Sequence, residues 1–350
     1  MESNELSRSR AAGKPSTICI TSPGYSPVSL YTSCLKSFYI LFITGPYYTY
    51  QTYCDSLRVS ERLDLPIKRL VLGKIRTLLW SLPLLIILSA IDPVERLRSE
   101  KLNDYSQIIL SIWSGVAFVY LRMRIYSAWM VAESICIFSG IGLYPSSCRS
   151  EPGHGPKDTT ELEKKLSGTE EIDFDAETIS NLDIPSVEYS DGFRSGMRAW
   201  NRSVQYWLAT YVYRRTRRSI RMPYTMLVSA FWHGIHPGYF LSFLTIPICT
   251  AAEDLVFRVF DERDGQRPFL FSIVWSFIRT RGFEMMACGF LLLNWEDTVR
   301  LWTKSCWWLH CLMVLVIVGS KSYLTFVREK RPKRAETKSD KQEQQRPKSE

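Results

Sequence analysis

The sequence predicts an all-α protein that crosses a membrane several times. Three observations carry this reading. Apolar stretches of helix length alternate with strongly polar ones along the 350 residues. The stretch Met222 to Ala252 contains no Asp, Glu, Lys or Arg, which suits lipid or a protein interior. The chain is rich in Trp (11), Tyr (18) and Phe (17), side chains favoured at membrane interfaces. We expect about six to eight membrane-embedded helices, some tilted or re-entrant.

Residues 1–27 are polar and rich in Ser and Pro, and are read as a disordered segment. They hold no apolar run before a small-residue cleavage site, so they do not read as a secretory signal, and insertion would rely on internal spans. An apolar stretch follows over 28–43, interrupted by Lys36. It ends in "TGPYYTYQTY", where Gly45 and Pro46 break a helix and the tyrosines suit an interface. Residues 55–74 carry eight charged side chains and read as a solvated connector or a surface-lying helix. A span is expected over 77–91. Two apolar blocks, 108–121 and 125–144, are separated by "RMR". A charge at mid-bilayer costs about 2.5–3.5 kcal/mol on insertion scales. Arg122 and Arg124 should therefore lie near an interface or face an interior cavity.

Residues 145–184 form a long polar loop, expected to be mobile at its centre, that divides the chain in two. Residues 198–213 read as one amphipathic helix, with Trp200, Val204, Trp207, Leu208, Tyr211 and Val212 on one face. "YRRTRRSIR" follows, holding Arg214, Arg215, Arg217, Arg218 and Arg221. After the charge-free run come two shorter apolar pieces, 269–278 and 283–294, and a last span over 302–320. The tail, 321–350, holds ten Lys or Arg against five Asp or Glu and reads as disordered. The positive-inside rule places it in the cytosol, with the arginine cluster on the same side. The membrane domain is thus 28–320.

Net charge is +9, from 44 Lys and Arg against 35 Asp and Glu. No nucleic-acid partner is expected. The nine cysteines show no C-x-x-C and no paired framework, which argues against a disulfide scaffold or zinc ribbon and for buried free thiols. No internal repeat and no set of intramembrane acids is present, which ranks a channel or transporter last.

The most informative stretch is "SAFWHGIHPGYFLSF", 229–243, which holds two of the four histidines. A continuous helix over 222–252 would be about 46 Å long, against a hydrocarbon core of about 30 Å. Gly234, Pro237 and Gly238 fall near its middle, so a kink or break is expected there. Broken helices in membranes require a protein or water-filled interior to satisfy the freed backbone groups. His233 and His236 should therefore border an interior cavity. A buried neutral imidazole with no acid beside it is suited to take a proton from a hydroxyl as that oxygen attacks an activated carbonyl. A second polar group would orient it or hold the developing oxyanion. Asn201 is the nearest uncharged candidate, although an N-cap or surface role is also open to it. "NRS" matches a glycosylation sequon, but the surrounding tryptophans favour a buried site. His-x-x-His spacing can chelate a metal, yet no Asp, Glu or Cys accompanies the pair, and no metal is expected. Either histidine could also serve only as a hydrogen-bonding residue between helices.

"SGMRAWNRSVQYWLATYVY" (195–213), followed by "TMLVSAFWHGIHPGYFLSFLTIPICTAAE" (225–253), resembles the membrane-bound O-acyltransferase family. "TGPYYTYQTYCD" (44–55) and "FVYLRMRIYSAWMVAE" (118–133) add to the likeness, which extends over about 28–320. Within the family the chain is most similar to the lysophosphatidylinositol acyltransferase branch. By that resemblance His233 corresponds to the catalytic histidine and Asn201 to its partner. Trp200, Trp207, Trp232, Gly234, His236, Pro237, Gly238 and Tyr239 support the motif and chamber. The implied reaction is acyl transfer from acyl-CoA, a co-substrate rather than a bound cofactor, to the hydroxyl of a lysophospholipid. It implies polyunsaturated donors, phospholipid remodelling and an endoplasmic reticulum membrane. Arg214, Arg215, Arg217, Arg218 and Arg221 become candidates for CoA phosphates or an anionic headgroup, although topology alone would also place arginines there. Family members carry further spans ahead of the segment matching 44–55, and residues 1–27 resemble nothing in them. Another headgroup (choline, serine or ethanolamine) and a shortened, non-catalytic lipid-binding relative remain the alternatives.

Overall fold

The computed structural model describes residues 45–98, 100–168, 172–263 and 265–330. The predicted disordered segment 1–27, the apolar stretch 28–43 and the tail beyond 330 lie outside them. Among the described residues the regular structure is helical apart from one two-stranded ribbon and an isolated bridge between Glu151 and Gly155. It is an all-α polytopic membrane protein.

Helix α1, Tyr50–Arg62, begins where the Thr49 hydroxyl accepts from the Thr52 N–H. Helix α2, Ile67–Ile91, starts ten residues before the predicted span. The charged connector expected over 55–74 is therefore the body of α1 and the first turns of α2. Tertiary partners absorb its charges. Asp55 is buried and accepts from the Tyr144 hydroxyl at 2.9 Å and the Gln51 amide at 2.7 Å. Burial nonetheless pushes its carboxyl above the usual carboxylate range. Lys74 reaches the fully buried Glu133 at 2.5 Å.

The short helix α3, Pro93–Arg98, precedes α4, Gln107–Phe138. The predicted interruption at "RMR" is absent, and α4 runs through it. Arg122 faces inward, pairs with Glu188 and lies over the Phe118 ring at 4.5 Å. A paired guanidinium against an aromatic face lets the helix continue.

The stretch expected as a polar loop over 145–184 holds regular structure on both sides of residues 169–171, which lie outside the described residues. Strands β1, Tyr144–Pro145, and β2, Phe174–Asp175, pair antiparallel with Tyr144 opposite Asp175. Helix α5, Thr159–Ser167, is capped by the Asp158 carboxylate. Val59, Tyr144, Cys148, Leu162, Leu166 and Phe174 form a small core beneath them. Arg58–Glu163 and Arg69–Asp173 tie this unit to α1 and α2.

Helices α6 (Ile184–Tyr189), α7 (Phe193–Ala199) and α8 (Arg202–Tyr211) follow. The single amphipathic helix predicted over 198–213 is thus two, broken at Trp200 and Asn201. Helices α9 (Arg221–His233), α10 (Pro237–Arg263) and α11 (Phe269–Leu292) form the inner wall. The two pieces predicted between 269 and 294 are one helix. It passes through Arg279 because that buried side chain donates to the carbonyls of Val187 and Glu188, at 2.9 and 3.1 Å. Helix α12, Trp295–Lys304, is separate from α13, Trp308–Lys330. The final span begins at Trp308 rather than Trp302, because Cys306 and Trp307 adopt positive φ between the two helices. Helix α13 also takes in the first ten residues of the predicted tail.

Among the described residues, four helices are long and apolar enough to cross a membrane: α2, α4, α10 through Phe260 and α13 through Arg328. The main core gathers side chains from α4, α10, α11 and α13, with α12 sealing it through Leu301 and Trp302. All seven described cysteines are free. Four are buried, and Cys306 and Cys311 are exposed.

Candidate active site

The charge-free run folds as a hairpin. Helix α9 ends at His233, the chain reverses through Gly234, Ile235 and His236, and α10 leaves at Pro237. The predicted break is a complete reversal. Gly234 has φ 139° and ψ 177°, a region essentially restricted to glycine. Pro237 supplies a pre-set φ at the first helical position. Gly238 sits against the end of α11. Its N–H donates to the Leu293 carbonyl at 2.7 Å, and an added Cβ would overlap the Gly289 carbonyl oxygen. The hairpin tip is thereby fixed to α11.

This docking surrounds His233 with rings. Phe243 stacks on it at 5.0 Å between centroids, Phe290 meets it edge-on at 5.1 Å, and Trp232 and Tyr239 lie at 4.7 and 5.8 Å.

Asn201 lies at the break between α7 and α8, with φ 53° and ψ 47°. Asparagine tolerates this left-handed conformation better than most residues. It occupies the N-cap position of α8, but its side chain makes no capping bond. Its Oδ1 is buried without a partner. The backbone on both sides is clamped. Asp183 N–H donates to the Ala199 carbonyl at 3.0 Å, and Arg202 N–H donates to the Asn181 carbonyl at 2.9 Å. Asn181 is anchored in turn, donating its N–H to Glu133 at 2.8 Å and accepting from the Ser203 hydroxyl. At the other end of α7, buried Glu253 accepts from the N–H groups of Phe193 and Arg194 and from the Trp275 indole.

His233 and Asn201 line one cavity of about 530 Å³. Trp200 lines it too, and much of the wall is apolar, including Leu208, Met226, Phe243, Met286 and Phe290. The other motif residues lie outside the lining. Trp232 and Tyr239 touch the His233 ring, and Gly234, Pro237 and Gly238 build the reversal. His236 is exposed against Tyr239, and Trp207 is half-buried away from the cavity. Arg214, Arg215, Arg217 and Arg218 are exposed and do not line it. Arg221 lies over the Tyr213 ring at 4.8 Å, and Tyr213 does line it. Sequence reading passed over Glu188, Arg279, Asn181 and Glu253. Arg279, a charge between two apolar runs, was the one with a visible signal. Among the described residues no group of three or more His, Cys, Asp or Glu is placed to hold a metal.

The profile of the MBOAT, or membrane-bound O-acyltransferase, family matches residues 36–293, which include Asn201, His233 and Phe290. The chain belongs to this family. Relatives include the membrane-bound acylglycerophosphatidylinositol O-acyltransferase of Caenorhabditis elegans, 43% identical over 275 residues, covering 77% of this chain and 60% of that one. The protein of the same description in Danio rerio is 34% identical over 307 residues, covering 86% and 65%. That of Homo sapiens is 35% identical over 289 residues, covering 80% and 60%. The chain therefore spans under two thirds of the length of these relatives. In this member of the family the shared cavity, rather than the histidine pair, is the unit that gathers the candidate groups.

Proposed function

We propose that the chain transfers an acyl group from acyl-CoA to the free hydroxyl of a lysophospholipid, with lysophosphatidylinositol as the acceptor. The observation that carries the reading is the single cavity onto which His233 and Asn201 both open. The relatives' description as acylglycerophosphatidylinositol O-acyltransferases supports the acceptor. A largely apolar chamber within the usual 300–1,000 Å³ range of ligand pockets suits an acyl chain.

In this reading His233 takes the proton from the acceptor hydroxyl as its oxygen attacks the thioester carbonyl. The aromatic surround keeps the imidazole neutral and free of an acidic partner. The Asn201 amide, held by its clamped backbone, supports the oxyanion of the tetrahedral intermediate. Collapse breaks the carbon–sulfur bond and releases the CoA thiolate, which His233 protonates. The products are a diacyl phospholipid and free CoA. No cysteine nucleophile takes part and no metal is required. The exposed arginines Arg214, Arg215, Arg217 and Arg218, with Arg221, attract phosphate-bearing substrate to the membrane face. The donor is a polyunsaturated, arachidonoyl-like acyl-CoA. The setting is phospholipid remodelling in the endoplasmic reticulum membrane, with the C-terminal tail cytosolic.

The test is acyl transfer in membranes lacking endogenous activity, with arachidonoyl-CoA and a panel of lysophospholipids. Turnover with lysophosphatidylinositol that disappears in His233→Ala supports the reading. Preference for a choline, serine or ethanolamine headgroup reassigns the acceptor. No turnover with any acceptor, from well-inserted protein, favours a non-catalytic lipid-binding relative.

A further inference from the structure

The cavity has a second polar end. Arg279, Thr280, Phe283, Met286, Ala287 and Phe290 line it along one face of α11. Phe290 touches His233, and Arg279 lies eleven residues earlier, about 16 Å along the helix axis. Helix α10 packs antiparallel to both neighbours: Phe243 meets His233 and Phe290 near its start, while Phe257 meets Phe271 and Trp275 near its end. Helices α9 and α11 therefore run in the same direction, and Met222 and Arg279 both lie toward the end remote from His233.

Arg122, Glu188 and Arg279 all line that remote end. Arg279 is only 3% exposed. Its hydrogen bonds go to neutral acceptors, the Val187 and Glu188 carbonyls and the Ser276 hydroxyl, and its Nε is buried without a partner. Arg122 is paired with the Glu188 carboxylate, and its own Nε is also buried without a partner. The other Glu188 oxygen is taken by the Tyr126 hydroxyl at 2.7 Å. Arg194 lines the cavity too but is paired with Asp254, and Arg198 is exposed. Buried Arg279 thus makes no hydrogen bond to a carboxylate, while half-buried Arg122 pairs with Glu188. An interior positive charge without a counter-charge is unfavourable unless an anion completes it, and the guanidinium fork matches phosphate oxygens.

We propose that Arg279 and Arg122 form a phosphate-binding subsite at the end of the cavity remote from His233. The proposal rests on the reading of this cavity as the substrate chamber. Two sources carry the required group, the phosphates of the acyl-CoA donor and the phosphodiester of the lysolipid acceptor. Glu188 sets the strength of the subsite by neutralising one of the two arginines.

Binding, rather than turnover, is the direct test. Coenzyme A and glycerophosphoinositol are titrated separately against purified protein in detergent, for wild type, Arg279→Gln and Glu188→Gln. The Arg279→Gln change should weaken one of the two probes about tenfold, as loss of a charged hydrogen-bonding partner does. The probe affected identifies the source. Glu188→Gln keeps a polar group for Tyr126 and Arg122 but removes the negative charge, so it should tighten the same probe. A merely structural role for these residues predicts the opposite, weakening or loss of folded protein in both variants. If Arg279→Gln does not accumulate, Arg122→Gln and Glu188→Gln decide. Failure of wild type to bind either probe, or unchanged affinity for both in the variants, overturns the subsite. Binding with this pattern in a protein that shows no turnover would leave the subsite standing and remove only the catalytic reading.

Discussion

The backbone N–H of Arg202 donates to the Asn181 carbonyl at 2.9 Å, and this bond between two residues outside the cavity fixes the backbone beside Asn201, which lines it. Asn201 lies between that bond and the one from Asp183 to Ala199. Its side chain is therefore aimed by backbone geometry, without a capping bond of its own. Replacing Asn201 with Ala should lower kcat by about 10²–10³-fold, the usual cost of an oxyanion donor, with normal abundance in the membrane. A near-normal rate would leave Asn201 a structural residue.

The same chain of contacts reaches Glu133, fully buried and paired with Lys74. Glu133→Ala would strand the lysine and release the Asn181 N–H. Breaking a buried ion pair on one side costs about 3–5 kcal/mol. The expected result is markedly lower abundance and a lower unfolding temperature in detergent. Wild-type thermal stability would show that Lys74 finds another partner.

The two histidines separate cleanly. His233 borders the cavity and His236 is exposed at the reversal. His233→Ala should cost about 10²–10⁴-fold in rate, the range for a general base, whereas His236→Ala should leave turnover nearly unchanged. Equal losses in the two variants, at equal abundance, would return both to a packing role.

Gly238 is a packing position. A methyl group there meets the backbone of α11, which cannot swing aside as a side chain can. Gly238→Ala should destabilise the protein by about 1–3 kcal/mol, as overpacking does, read as reduced thermal stability. An unchanged melting profile would mean that the hairpin tip can lift from α11.

Arg214, Arg215, Arg217 and Arg218 are solvent-exposed, so their effect on substrate should be long-range attraction. Joint replacement by Gln should raise the KM for acyl-CoA more than for the lysolipid, leaving kcat unchanged. The difference should fade with added salt, because the screening length falls from about 10 Å at 0.1 M to about 3 Å at 1 M. A KM for acyl-CoA that does not move would return these arginines to membrane topology.

The helical, membrane-crossing character was legible in the sequence because it rests on local composition, and apolar runs of helix length admit few other structures in lipid. The break inside 222–252 was legible for the same reason, since Gly234 and Pro237 act on their own backbone. His233 and Asn201 could be singled out as candidate residues from local context. Charge placement was not legible. Arg122 and Arg279 read as interruptions, yet both lie within continuous helices, because Glu188 and the α6 carbonyls meet them from a distant part of the chain. The polar stretch 145–184 read as a loop, yet its described residues include short helices and strands, because its few apolar side chains find α1. Only tertiary structure decided that α9 and α10 form a hairpin, that Asn201 sits at a clamped break, and that both candidate residues open onto one cavity with a basic far end. Local sequence sets which backbone conformations are cheap, whereas the cost of a buried charge or an unpaired polar group depends on partners that folding brings together.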